Sequence, residues 1–206
     1  MDNKSKILLA AIEIFGEKGK HGARMEEIAA RAKINKAMVY YYFSSRNNLY
    51  REALKHVFLS VHRHFASALK QISPDSISYE KKLELLTRSF FRLYTENPGM
   101  TKLFLLAFAN EPETVTQVIT QLQTEQEMIN PRKMMALFAE GIAHDIYRNV
   151  DPRHTILSII GINLAHFIAA PVIKAVLSID SESREEFYKI REKNILDLVL
   201  HGLIKS

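Results

Sequence analysis

Residues 34–43, INKAMVYYYF, place three consecutive tyrosines beside a phenylalanine. At about 100° per residue, Val39 and Phe43 lie within about 40° of each other and define one face of a short helix. Tyr41 then points directly away from that face. Because a short helix has no face wide enough to bury all four rings, we predict that Val39 and Phe43 are core residues and that the tyrosines lie outside the core.

The other two tyrosines, Tyr40 and Tyr42, lie about 80° to either side of the inward face. A surface that combines tyrosine hydroxyls with the cationic Lys36 and Arg46 suits a phosphate backbone, because both kinds of group donate hydrogen bonds to phosphate oxygens. The small side chain of Ala37 lets the helix come close to its partner. We therefore expect this surface to contact DNA.

The preceding residues predict that this helix is the second helix of a helix-turn-helix. Residues 25–43, MEEIAARAKINKAMVYYYF, place Ile28, Ala29 and Ala32 on one helix, and a tight connection follows. Asn35 is a favourable N-cap for the next helix, which would enter the major groove. An ordinary helical hairpin with an exposed aromatic patch is the alternative.

The order of these motifs resembles the N-terminal DNA-binding domain of the tetracycline-repressor (TetR) family of bacterial transcription regulators. The resemblance covers residues 4–55 and joins an alanine-rich first helix, KSKILLAAIEIFGEKG, to the helix-turn-helix and then to SSRNNLY. It implies a three-helix DNA-binding domain at residues 1–55 and a helical ligand-binding and dimerisation domain at residues 56–206. The residues that it places at the DNA are Arg24, Lys36, Ala37, Met38, Tyr40, Tyr41, Tyr42 and Arg46.

Three of these positions depart from the family pattern. Ala37 stands where the family often has glycine, Met38 where threonine is common, and Arg24 where serine or threonine usually caps the second helix. Met38 favours an apolar base contact, such as one with a thymine methyl group. Arg24 is expected to reach a phosphate instead of capping the helix.

Charge is unevenly distributed along the 206 residues. Residues 1–55 contain 11 Lys and Arg against 6 Asp and Glu, and the remainder is balanced, so the whole net charge of +5 lies in the first quarter of the chain. A basic segment on a neutral body indicates a polyanionic partner for that segment. A solvated surface with a chance excess of lysine is the alternative.

Apolar residues recur at intervals of three and four, which predicts an all-α fold. Helices are expected near 3–18, 25–32, 36–42, 46–71, 80–96, 98–109, 112–128, 131–148, 152–178 and 183–204. Start signals support these boundaries, because Asn97, Asn130 and Asp151 each precede a proline. Ser183 and Glu186 form a capping box.

Residues 155–173 carry no formal charge over nineteen positions, which approaches the length of a membrane span. Ser158, Asn163, His166 and Pro171 interrupt the apolar run, so we expect a helix that is buried on nearly all sides in an assembly. The N-terminus has no basic head or cleavage site of a signal peptide, and the lack of cysteine fits a reducing compartment. We expect a cytoplasmic protein.

The sequence contains no catalytic, metal-binding or cofactor-binding signature. His62 and His64 stand two apart on a predicted helix and face different sides, which is poor geometry for a metal. No G-x-S-x-G, H-E-x-x-H or paired-carboxylate motif accompanies its Ser, His and Asp residues. We therefore expect no enzyme, no metal site and no cofactor.

The body of the chain, from residue 56 onward, has no motif that specifies an effector. The resemblance implies a cavity for a small, largely apolar molecule, which Asn163 and His166 would orient from the long apolar helix. Satisfaction of these two groups by backbone or water is the alternative. The candidate ligand-binding residues are Phe104, Phe108, Phe138, Asn163, His166 and Phe167.

Gly161, Ala165 and Ala169 recur every four residues and form a strip along the same helix, where another helix can approach closely. With the helix at 183–204, this strip is expected to form a four-helix interface in a homodimer. The predicted function is that of a ligand-responsive transcriptional regulator, a repressor that binds a palindromic DNA operator and is released by a small molecule. An effector-independent DNA-binding architectural protein and an enzyme with a borrowed helical body are the alternatives.

Overall fold

A computed structural model describes residues 2–72, 76–125, 131–176 and 183–205, except for the side chains of residues 131–133, 166, 170, 171, 173, 174 and 184. Within these ranges the chain forms ten α-helices and no β-sheet, which confirms the predicted fold class. The helices are α1 (Asn3–Gly22), α2 (Met25–Ala32), α3 (Lys36–Phe43), α4 (Arg46–Ile72), α5 (Tyr79–Glu96), α6 (Pro98–Asn110), α7 (Pro112–Thr124), α8 (Pro131–Ala143), α9 (Pro152–Val176) and α10 (Arg184–Leu203).

The helices begin where the sequence signals predict. At the start of α3, the Asn35 side chain accepts a hydrogen bond from the Ala37 amide at 2.9 Å. At the start of α10, the Ser183 hydroxyl accepts one from the Glu186 amide at 3.1 Å. Proline occupies the first position of α6, α7, α8 and α9, where a helix needs no amide hydrogen.

Three helix ends differ from the predicted ones by more than two residues. α1 continues past residue 18 to Gly22, with a break at Gly19, whose φ of 70° is readily adopted only by glycine. α7 ends at Thr124, and most of its predicted extension to residue 128 lies outside the described residues. α8 ends at Ala143 instead of continuing to residue 148.

The early end of α8 follows from a glycine and a tyrosine. The amides of Ile146 and Tyr147 both donate to the Gly141 carbonyl at 3.0 Å, and Asp145 adopts a φ of 61°, so the chain turns back. The Tyr147 ring covers Gly141, where a Cβ atom would lie 2.2 Å from the ring. Tyr147 also forms an isolated β-bridge with Ile204. The longer predicted helix is wrong because tertiary contacts, which local periodicity does not report, favour the turn.

Met1–His62 and Asn97–Met128 form one compact unit, which we call the N-terminal unit. Its apolar core joins α1, α2, α3 and the first part of α4 to α6 and α7. α1 and α6 approach so closely that a Cβ atom at Gly16 would lie 2.8 Å from the Gly99 carbonyl oxygen. The packing unit therefore extends beyond the three helices of the predicted DNA-binding domain, and the functional boundary at residue 55 is a proposal.

Arg63–Glu96 and Ile129–Ser206 form a second compact unit, which we call the C-terminal unit. Here α5 packs against α9 and α10. Arg88 of α5 forms an ion pair with Glu192 of α10 at 2.9 Å. Among the described residues, no helix combines the length and the apolar character that crossing a membrane requires.

One face of α9 is exposed in the protomer. Leu157, Ile168, Val172 and Val176 are exposed by 65%, 69%, 67% and 73%, whereas Asn163 on the other side of the helix is fully buried. The sequence predicts that α9 is buried on nearly all sides in an assembly. Burial of this exposed face would therefore require a partner.

Candidate nucleic-acid interface

The turn between α2 and α3 is closed by backbone hydrogen bonds. Lys33 adopts a left-handed conformation with φ of 56°, and its amide donates to the Ala30 carbonyl at 3.1 Å. The next amide, that of Ile34, donates to the Ala29 carbonyl at 3.0 Å. These bonds satisfy the last carbonyls of α2 and redirect the chain into α3. The two helices pack against each other as a helix-turn-helix.

The short helix α3 divides its aromatic residues between core and solvent. Val39 and Phe43 are 0% and 1% exposed, whereas Tyr41 is 78% exposed. Tyr40 is 42% exposed, and Tyr42 is half-buried with its ring packed edge to face against Tyr41 at a centroid distance of 5.2 Å. These exposures confirm the predicted orientation of the helix, and they leave a hydroxyl-bearing aromatic surface in solvent.

Lys36, the first residue of α3, forms an ion pair with Glu26 in the first turn of α2. The Glu26 carboxylate raises the pKa of Lys36, and Lys36 in turn lowers the pKa of Glu26. The Lys36 ammonium also lies over the Tyr40 ring, 5.7 Å from its centroid. The predicted DNA-facing cation is therefore held between a carboxylate and an aromatic ring.

The two predicted DNA-contacting arginines occupy different settings. The Arg46 guanidinium donates to the carbonyls of His21 at 3.3 Å and Ala23 at 3.5 Å, so it ties the start of α4 to the end of α1. Arg24 is exposed at the N-cap of α2, and its own amide is bonded by the Glu27 carboxylate at 3.4 Å. Glu27 thus satisfies the amide of the N-cap residue, but no side chain among those described accepts from the first helical amides as serine or threonine would, and Arg24 is exposed.

The same surface carries the two remaining predicted contacts. Ala37 is exposed and Met38 is half-buried. The ammonium of Lys4 in α1 lies 6.0 Å from the centroid of the Phe43 ring. Sequence reasoning missed both Lys4 and Glu26, because each contact joins two separate helices, and the excess of basic residues was the only signal that included Lys4.

Polar contacts connect α1 and α4 to α6 and α7 within the N-terminal unit. The Lys20 ammonium lies 2.9 Å from the carboxylate of Glu111, at the junction of α6 and α7, and this hydrogen bond lowers the pKa of Glu111. Lys55 of α4 forms an ion pair at 3.0 Å with Glu125 at the end of α7. Displacement of α6 and α7 would therefore strain their contacts with α1 and α4.

Two of the predicted ligand-binding residues belong to the N-terminal unit. Phe104 and Phe108 of α6 lie against each other with ring centroids 4.4 Å apart. Both contact Phe58 of α4, at centroid distances of 6.0 Å and 6.2 Å. Phe104 is half-buried and Phe108 is 47% exposed, so this aromatic cluster is open to solvent at one end.

The remaining predicted ligand-binding residues belong to the C-terminal unit. Phe138 is fully buried against the Tyr147 ring, 6.1 Å away. Phe167 packs edge to face with Tyr94 at 6.1 Å. The His166 side chain lies outside the described part of the structure. The predicted set is therefore divided between the two units.

Asn163 is fully buried and only partly satisfied by the described residues. Its amide group donates to the Ile159 carbonyl at 2.7 Å, one turn earlier in α9. Its side-chain oxygen has no hydrogen-bond partner among the described atoms. A buried acceptor of this kind normally has a donor, which a water molecule or a ligand can supply.

No group of three or more His, Asp or Glu residues among those described is arranged to hold a metal ion. His64, one of the two histidines considered from the sequence, has its Nε2 atom 2.8 Å from the Ser89 carbonyl oxygen. It therefore makes a structural contact between α4 and α5.

Residues 7–53 match the model of the family described as bacterial regulatory proteins, tetR family. The chain is also similar to the transcriptional repressor NicS of Pseudomonas putida, with 33% identity over 46% of this chain and 43% of NicS. The match therefore spans less than half the length of NicS. The chain is 25% identical to the transcriptional regulator RutR of Escherichia coli K12 over 97% of this chain and 90% of RutR.

A solved structure extends the likeness over nearly the whole fold. The transcriptional regulator FadR of Bacillus subtilis, in complex with stearoyl-CoA, superposes with a TM-score of 0.66 at 16% identity and covers 96% of this chain and 98% of that one. At this identity the likeness concerns the fold alone.

Proposed function

Because the chain belongs to the TetR family of DNA-binding transcriptional regulators, we propose that it is a repressor that binds a palindromic operator as a homodimer and is released by a small molecule. One observation carries the proposal: α3 buries Val39 and Phe43 and turns Tyr41 into solvent at 78% exposure. A buried inward face fixes the helix, and an exposed face of hydroxyls and cations suits a phosphate-lined major groove. We also propose that the protein acts in the cytoplasm, where bacterial DNA lies, and that it regulates transcription by binding and not by catalysis.

The exposed face of α9 supports the homodimer. Gly161 and Ala165 are exposed and lie between the exposed aliphatic residues Leu157 and Ile168, so small side chains occupy the middle of the stripe. A Cβ atom at Gly161 would meet nothing within 4 Å, which leaves room for another helix. Leu198 of α10 is also exposed, by 62%. A row of exposed apolar side chains is typical of a protein interface, and a second copy of the chain would bury it around a two-fold axis.

The ligand-responsive part of the proposal rests on the C-terminal unit. Asn163 offers a buried acceptor that a ligand donor could satisfy. The fold relative FadR of Bacillus subtilis is described in complex with stearoyl-CoA, which makes a long-chain acyl-CoA a rational first probe. We propose a largely apolar effector with at least one hydrogen-bond donor.

Selection of bound sequences from a pool of randomised duplexes tests the proposal directly. The expected product is a palindrome whose half-sites lie about 34–36 Å apart, or a multiple of this distance. Bound duplexes are then challenged with stearoyl-CoA and with a panel of smaller apolar compounds. Recovery of duplexes without any shared sequence would overturn the proposal of a specific operator and favour the architectural alternative.

A further inference from the structure

The Lys36–Glu26 ion pair makes a small contribution to the fold. The side chains of Lys36 and Glu26 are 49% and 58% exposed, and exposed ion pairs stabilise proteins weakly. A carboxylate beside a DNA-contacting cation would also repel the phosphates of any duplex that approached it. Its presence on this surface therefore needs an explanation in terms of recognition.

The Lys36–Glu26 pair lies in the part of a helix-turn-helix that contacts base edges. Lys36 is the first residue of α3, and Glu26 lies in the first turn of α2. In a helix-turn-helix, the N-terminal residues of the second helix contact base edges in the major groove. The ion pair, together with the Tyr40 ring 5.7 Å from the ammonium, holds a donor and an acceptor side by side before DNA arrives. Such preorganisation lowers the entropic cost of binding.

A donor next to an acceptor complements the major-groove edge of a G·C base pair. Guanine presents two acceptors, N7 and O6, and cytosine presents the N4 amino group as a donor beside them. A lysine ammonium can bond both guanine acceptors while a glutamate accepts from cytosine N4. At an A·T pair the adenine amino group separates the acceptors, and the thymine methyl group occupies the outer edge. With Lys36 at the purine and Glu26 at the pyrimidine, as at G·C, the ammonium would keep only the adenine N7 acceptor, and the carboxylate would face thymine O4, which is not a donor.

We propose that Lys36 and Glu26 form a specificity-determining pair that reads one G·C base pair in each half-site, with Lys36 donating to guanine and Glu26 accepting from cytosine. This inference rests on the proposed operator binding. On the matching base pair both charges remain hydrogen-bonded, whereas at an A·T pair in the same register Glu26 faces the thymine O4 acceptor instead of a donor. Glu26 therefore weakens binding to non-matching sequences more than binding to the operator.

The test is a parallel selection from a randomised duplex pool with the wild-type chain, Glu26→Ala, Glu26→Gln and Glu17→Ala. Glu17 is a matched control, because its carboxylate is also exposed in the same unit and pairs with Arg31 at 3.7 Å. Glu17→Ala removes the same charge without touching the proposed reading pair. Affinities of each variant are then measured on the selected site and on sites with the G·C pair replaced.

With Glu26→Ala, we expect the preference for G·C at one position per half-site to fall about tenfold, while preferences elsewhere persist. Glu26→Gln should keep part of the preference, because its amide oxygen still accepts from cytosine. Lys36→Ala should relax the same position, and the double variant should lose no more than the larger single loss. These results would support the inference.

If Glu26→Ala and Glu17→Ala each bound every duplex more tightly than the wild-type chain and by the same factor, the inference would be overturned. The loss of a negative charge alone would then explain the effect. Relaxation at different positions by Glu26→Ala and Lys36→Ala would also overturn it. Failure of the wild-type chain to select any sequence would overturn the proposed operator as well, and the wild-type arm alone reveals that outcome.

Discussion

Two helices, α3 and α9, each bury one face and expose large side chains on the other, but the chemistry of the exposed faces differs. The outward face of α3 carries tyrosine hydroxyls, with Tyr41 at 78% exposure. The outward face of α9 carries aliphatic side chains, with Val172 at 67% and Val176 at 73% exposure. Hydroxyls can donate to phosphates and remain hydrated in the free protein. Aliphatic groups gain free energy only when another apolar surface covers them.

Burial shows which residues hold each helix in place, but it does not show what the exposed residues bind. The inward residues determine whether each helix is held in place. The outward residues determine the class of partner, for which we propose DNA at α3 and a second copy of the chain at α9. Substitutions on inward faces should therefore change stability. Substitutions on outward faces should change association and leave the fold intact.

The largest effect is expected on the inward face of α3. Phe43 is 1% exposed, so Phe43→Ser removes a buried ring and introduces a hydroxyl, which should cost about 3–5 kcal/mol of stability. Thermal melting measures this loss, and Tyr41→Phe on the outward face is the matched control. If Tyr41→Phe lowered the melting temperature as much as Phe43→Ser, the division into inward and outward faces would be wrong.

The next effect is expected on the outward face of α9. Val172→Glu should place an uncompensated charge in the proposed dimer interface and weaken dimerisation by about 2–4 kcal/mol, roughly thirtyfold to several hundredfold. Light scattering across a dilution series measures the change. Ala143→Glu, at an exposed alanine at the end of α8, introduces the same charge elsewhere. A wild-type protein that is already a monomer at micromolar concentration would contradict the proposal.

Local signals in the sequence were enough to predict most helix bounds and the orientation of α3. Asn35, the prolines at helix starts and the spacing of Val39 and Phe43 all act through residues within one or two turns. Contacts between distant residues could not be predicted in the same way. The Lys36–Glu26 pair joins two helices, and the end of α8 depends on how Tyr147 packs against Gly141.

Local sequence patterns also could not predict how the candidate ligand-binding residues pack. Most of the candidate ligand-binding residues are aromatic, but their positions in the sequence do not tell which helices pack together. Phe104 and Phe108 lie with Phe58 in the N-terminal unit, whereas Phe138 lies against Tyr147 in the C-terminal unit. The partners of these rings follow from tertiary packing.

A smaller effect is expected when a single hydroxyl is removed from the outward face of α3. If the Tyr41 hydroxyl donates to a phosphate, Tyr41→Phe loses about 0.5–1.5 kcal/mol in each half of a symmetric dimer. Operator affinity should then fall roughly fivefold to a hundredfold, by a similar factor on every sequence because phosphate contacts carry no base information.

Fluorescence anisotropy on the selected site and on base-substituted sites measures both the affinity and its sequence dependence. The slope of affinity against salt should not change, because no charge is removed. A change in base preference with Tyr41→Phe would show that Tyr41 contacts a base edge instead.

The smallest effect tests whether polar contacts also hold the recognition helices in place. The Glu111 carboxylate accepts hydrogen bonds from Lys20 at 2.9 Å and from the Thr114 hydroxyl at 3.2 Å, and His21 lies 3.2 Å away. The Lys20 ammonium is the main cause of the lowered pKa of Glu111. A carboxyl group whose pKa is lower in the folded than in the unfolded state stabilises the fold above its unfolded pKa, about 4.3 for glutamate. This contribution is lost as the pH falls through the lower pKa of the folded state.

Glu111→Gln should therefore reduce stability by about 0.5–1 kcal/mol at pH 7, and its difference from the wild-type chain should shrink towards zero as the pH falls below about 4. Chemical unfolding at several pH values measures the difference. Glu113→Gln, at an exposed position in the first turn of α7, is the matched control and should show a smaller change. A difference between Glu111→Gln and the wild-type chain that stayed constant down to pH 3 would mean that the amide disturbs packing. The Lys20–Glu111 pair would then contribute no electrostatic stability to the contact between α1 and the α6–α7 junction.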